Sequence, residues 1–167
     1  MNTAVHPAFS WVETALSAVG AGIAGTLWWA HRANIELPCT SGGGCDEVNA
    51  SQWSHFTFGP LHDVPIALLG FLTYLVLLTL AMAKLGAETE ATRRVLLIPI
   101  WILSLGGTGY SWYLQYVAHF QIGAFCIYCF SSAIIMTLLW ITATWEGLRR
   151  MQSRSSSLSE TRPVSHV

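Results

Sequence analysis

The 167-residue chain is 53% hydrophobic and only 10% charged, with a formal net charge of −1. Soluble domains carry about 25% charged residues, so this composition excludes an ordinary water-soluble domain and points to a membrane protein. With no basic excess there is no basis for a nucleic-acid partner, which clustered Lys and Arg would have to hold.

Four apolar windows are long enough for a bilayer core, which takes about 20 residues of helix. The first, residues 11–30 ("WVETALSAVGAGIAGTLWWA"), carries one charge, Glu13, near its start. Its "GAGIAG" (Gly20, Gly22, Gly25) matches a dinucleotide-binding pattern but lies inside a span. Small residues that let helix backbones approach are the better account. A connection of residues 32–63 follows, containing "CTSGGGCDEVNASQWSHFTFGPLHD". The second window, residues 64–83, is uncharged, and a short charged connection, residues 84–94, leads to the uncharged third window, residues 95–118. The next connection, residues 119–125, is so short that the third and fourth spans should form a tight antiparallel pair. The fourth window, residues 126–145, opens on "CIYC".

After it the chain turns polar and Ser-rich ("RRMQSRSSSLSETRPVSHV"). The expected organisation is a four-helix membrane domain over 1–150 and a disordered cytoplasmic tail over 151–167. Fold class follows: an all-α integral membrane protein, a four-transmembrane-helix bundle with an extracytoplasmic loop or short helix between the first two helices.

Basic residues set the expected orientation. Lys84, Arg93, Arg94, Arg149, Arg150, Arg154 and Arg162 fall on one side of a four-span chain, and only Arg32 on the other. Both termini are therefore expected in the cytoplasm. No Lys or Arg precedes Arg32, which argues against a cleaved signal peptide and for a retained first span.

All four cysteines, Cys39, Cys45, Cys126 and Cys129, then sit at the outer side, the compartment where disulfides form and persist. Four cysteines allow three pairings, and sequence does not choose among them. Cys126 and Cys129 share the first turn of a helix, where unpaired N–H groups and the positive end of the helix dipole stabilise a thiolate. Cys39 and Cys45 flank the flexible "TSGGG". Two pairs at one membrane surface suit a redox relay between soluble thiols and a lipid-dissolved molecule. A structural zinc site is a poorer account, because only one pair has knuckle spacing.

The ordered set "CTSGGGCDEVNASQWS", "GPLHDVPIALLGF" and "FCIYC" resembles the vitamin K epoxide reductase family, in particular its bacterial members, from about residue 11 to residue 145. The resemblance implies a four-helix bundle around a quinone (menaquinone or ubiquinone) near the outer surface. By that resemblance Cys126 and Cys129 form the active-site disulfide, with Cys129 nearest the quinone. Cys39 meets the thiol partner and Cys45 exchanges with Cys126, while Ser51 lies on a short helix over the quinone pocket.

Trp53, Phe56, Phe125 and Tyr128 are candidates to line that pocket, and His55, His62, Asp63 and His119 are boundary groups that could pass protons. The implied function is a thiol:quinone oxidoreductase of the inner (plasma) membrane that reoxidises a secreted thioredoxin-fold (DsbA-like) protein. The tail is too short for a fused thioredoxin-like domain, so the partner is expected as a separate extracytoplasmic protein. Where vertebrate members carry a tyrosine and an asparagine associated with vitamin K, this chain has Ala133 and Ile66, which weighs against epoxide reduction. Vitamin K epoxide or quinone reduction is the alternative within the family. A non-catalytic membrane scaffold stapled by disulfides or zinc is the alternative outside it.

Overall fold

The computed structural model describes residues 8–33, 35, 55–58 and 61–160. In chain order these form α1 (Ala8–Ala33), a hairpin of β1 (His55–Phe58) and β2 (Leu61–Pro65), α2 (Ile66–Gly86), α3 (Glu90–Val117), one π-helical turn (Ala118–Ile122) and α4 (Ile127–Glu160). Each expected span falls on one long helix, and α2, α3 with its π turn, and the first 26 residues of α4 are long and apolar enough to cross a membrane. The more polar α1 has 26 residues, about 39 Å at 1.5 Å per residue, ample to span. Leu72, Val76, Val95, Ile98, Ile102, Leu138 and Ile141 point outward and exposed. That apolar coat is what lipid requires and water does not tolerate.

The helices form one closed ring. α1 packs along α2 and α4, α3 packs along α4, and α2 meets α3. Where α1 and α2 cross, the glycines do what small residues allow. A Cβ on Gly20 would run into the ring of Tyr74, and one on Gly25 would sit 3.2 Å from Phe71. Gly22 faces open space. Gly20→Val should therefore lower stability by about 1–3 kcal/mol through overpacking. Gly22→Val should cost far less in the same thermal melts in detergent, and equal losses would show that the glycines matter only for helix propensity.

At one end of the ring the helices are tied by charge. Lys84 is fully buried and donates to Glu13 Oε2 at 2.5 Å and to Glu146 Oε2 at 2.6 Å. Arg150 binds Glu146 Oε1 at 2.6 Å and reaches the exposed Glu90. The buried part of this network has two carboxylates against two cations, so its charge balances, and with Glu90 it takes a member from every helix. Sequence reading placed Lys84 at the start of the second connection. Instead α2 runs on to Gly86 and carries the ammonium into the bundle. Only a turn of chain follows before Thr89, whose hydroxyl caps α3 by accepting from the Thr92 N–H at 3.2 Å.

Two further differences concern boundaries. The described part of the α1–α2 connection is an antiparallel hairpin, with His55 opposite Pro65 and Phe56 opposite Val64, which sequence reading did not anticipate; the short helix expected at Ser51 lies outside the described residues. Pro65 suits the changeover, because its fixed φ of −60° starts α2 and a helix start needs no N–H from it. The helix α4 continues to Glu160, through residues expected to be disordered from 151. No Gly or Pro lies between Leu148 and Glu160, serine is only mildly unfavourable in a helix, and the first breaker is Pro163.

Candidate active site

The candidate site lies at the end of the bundle opposite the charged network. From Cys126 to Glu146 is 20 residues, about 30 Å along α4, which equals the thickness of a bilayer hydrocarbon core. The local sequence explains why a helix begins at the cysteines. The π turn widens the end of α3 and is closed by Gly123, whose φ of 72° is a left-handed conformation that only glycine adopts without strain. The Ala124 N–H then donates back to the Ala118 carbonyl at 3.1 Å, reversing the chain in four residues. The expected antiparallel pairing of the third and fourth spans follows, with Trp112 Nε1 donating to Thr137 at 3.0 Å and Trp101 Nε1 to Thr144 at 2.9 Å.

Cys126 occupies the N-cap of α4. Its carbonyl accepts the first helical bond, from the Phe130 N–H at 3.0 Å, and its Sγ accepts from the Cys129 N–H at 3.3 Å. Serine, threonine, aspartate or asparagine usually fills that place, because a side-chain acceptor there satisfies an N–H that the helix leaves unpaired. Cys126 Sγ does the same for the Cys129 N–H, at the positive end of the helix dipole. Cys126 is 1% exposed, whereas Cys129 is only half-buried. The pair is thus graded in access, with Cys126 inside the cap and Cys129 partly covered.

The residues match a model of the vitamin K epoxide reductase family over 11–144. The chain belongs to that family. Membership in the vitamin K epoxide reductase family makes the chain a multi-pass membrane protein and implies an oxidoreductase that works between thiols and a quinone.

In this member of the vitamin K epoxide reductase family two further aromatic rings stand near the cysteine pair beside those expected. Phe125 is exposed, and its ring lies 5.5 Å from that of Phe130, which meets Trp112 edge-on at 6.2 Å. Phe130 and Trp112 were missed by sequence reading, which named Phe125 and Tyr128 beside the pair; the position of Phe130, one residue after Cys129 on the same turn, was the available signal. Tyr128 is half-buried on that turn. Phe56 lies on β1, whose backbone alone is described, and Cys39, Cys45, Ser51 and Trp53 fall outside the described residues, as do the side chains of His55, His62 and Asp63. His119 is exposed and stands edge-on to Phe120.

A flat, lipid-soluble quinone ring fits this donor set: Phe130 meets both Phe125 and Trp112 on the helix turn that carries the half-buried Cys129. Ala133, where vertebrate members have tyrosine, is completely buried one turn inward of Cys129. No phenol is presented from that position.

Proposed function

We propose that this protein regenerates an extracytoplasmic thiol oxidase, passing two electrons from a secreted thioredoxin-fold (DsbA-like) protein through Cys39–Cys45 and Cys126–Cys129 to a membrane quinone. The observation that carries the proposal is the N-cap sulfur of Cys126 with Cys129 one turn on, at one face of a bundle in this family. Lys84, Arg93, Arg94, Arg149 and Arg150 lie on the helix ends around the charged network, opposite the cysteine pair, which supports an extracytoplasmic cysteine face and cytoplasmic termini.

The steps balance as ordinary thiol–disulfide exchange. A partner thiolate attacks Cys39, forming a mixed disulfide and releasing Cys45 as thiolate, and the partner's second thiol then closes its own disulfide and frees Cys39. The Cys45 thiolate attacks Cys126, breaking the Cys126–Cys129 bond and releasing Cys129. Cys39 attacks Cys45, restoring the loop disulfide and freeing Cys126. Cys126 and Cys129 would re-form their disulfide by giving up two electrons and two protons, the acceptor chemistry a quinone would supply when bound. Phe125, Phe130 and Trp112 would hold the flat ring, and Cys129 is the sulfur with access to it.

The relay is tested by separating substrates. Cys39→Ala or Cys45→Ala should block oxidation of a reduced thioredoxin-fold protein while sparing a small dithiol, which reaches the inner pair directly. Unchanged oxidation of the protein substrate in both variants would contradict the relay. Reduction of vitamin K epoxide is the weaker reading, since Ala133 and Ile66 offer neither polar group associated with that substrate.

A further inference from the structure

α2 carries no charge before Lys84, yet it buries one phenol in its middle. Tyr74 is 1% exposed. Its ring fills the notch left by Gly20 on α1, and its hydroxyl crosses the bundle to α4, donating to the Ser132 carbonyl at 2.9 Å and meeting Ser132 Oγ at 3.0 Å. For packing alone phenylalanine would serve, since the surrounding core is Ala21, Ala24, Leu77, Ile135, Met136 and Leu139. The hydroxyl has to be matched with a polar partner to be buried at all, and the partner it takes is the backbone of α4. Ser132 lies three residues past Cys129, on the same face and one turn inward.

We propose that Tyr74 is a positioning residue for the cysteine pair: bolted between Gly20 and Ser132, it holds the opening turns of α4 in place while Cys126 and Cys129 exchange bonds. The inference rests on Cys126 and Cys129 being the redox pair. Sulfur exchange needs near-linear approach and a fixed separation, and the cap that holds Cys126 is only as firm as the turn beneath it. The link at Ser132 is the only side-chain hydrogen bond from α2 to α4 near the pair among the described residues, because the Lys84 network lies at the far end.

The test is Tyr74→Phe in the full chain, which keeps the ring in its notch and removes one oxygen. Quinone-coupled turnover should fall about tenfold or more, as small displacements of reacting groups do, with KM for the thiol protein unchanged. In the reduced protein the rate of Cys129 alkylation by iodoacetamide should change severalfold, a readout that needs neither quinone nor partner. Ser132→Ala, which leaves the carbonyl acceptor in place, should do much less. Turnover per folded molecule and alkylation both within twofold of the parent would overturn the proposal. So would loss of folding in Tyr74→Phe, which would make the hydroxyl a structural tie alone. Failure of the redox reading is distinguished by Cys129→Ser retaining turnover, while the alkylation rate still decides the role of Tyr74.

Discussion

Lys84→Met should be the most destabilising single substitution in the bundle. The ammonium is fully buried between Glu13 and Glu146, so its removal leaves two carboxylates facing one another with only Arg150 to answer them. Breaking a buried pair from one side costs about 3–5 kcal/mol, because the orphaned charge has lost water without keeping its partner. For a chain of this size that corresponds to a fall of about 10 °C or more in the thermal midpoint. Adding Glu13→Gln to Lys84→Met should recover part of the loss, since an uncharged amide is cheaper to bury than an orphaned carboxylate. Melting in detergent decides it, and a double variant that melts below Lys84→Met would contradict the assignment. The Glu13 oxygen Oε1 and the hydroxyl of Ser17, one turn on, have no partner among the described residues, so this end of α1 already bears some desolvation cost.

Cys126→Ser and Cys126→Ala should separate the two duties of one residue. Both should reduce thiol–quinone turnover by about 10³-fold or more, since neither side chain can form a disulfide and the pair acts as a unit. Their stabilities should differ. Serine is a good N-cap and keeps an acceptor for the Cys129 N–H, whereas alanine leaves that N–H unmatched and should cost about 0.5–2 kcal/mol more. Activity assays paired with thermal melts on the two variants check this. Equal stability would show that the contact at 3.3 Å carries no capping energy.

What could be read from sequence, and what could not, follows from the range of the interactions involved. Spans are local: an uncharged window of 20 residues has no alternative in a bilayer, and each one became a helix. The helix start at "GAFCIYC" was equally local, set by Gly123 and by sulfur at the cap. The charged network was not legible, because Glu13, Lys84 and Glu146 are more than 60 residues apart in the chain and each looks like an ordinary charge at a membrane boundary. Only the antiparallel packing of α1 on α2 and α4 brings them to one level. Tyr74 was hidden for the same reason: its meaning lies in Gly20 and Ser132, which are 54 and 58 residues away. Phe125 and Tyr128 could be named from their place beside the cysteines, whereas Phe130 and Trp112 come together on α4 and α3 only through helix pairing. The continuation of α4 past residue 150 was missed because composition was weighed above the absence of a helix breaker.

The account stands or falls on sulfur at the N-terminus of α4 carrying electrons to a quinone. The most direct measurement places the purified protein in a bilayer with quinone and a reduced thioredoxin-fold protein, and follows quinol and substrate disulfide together. One quinol should appear for each disulfide formed, and Cys129→Ser should abolish both while leaving the thermal midpoint near that of the parent. Undiminished quinol formation by Cys129→Ser would contradict the account.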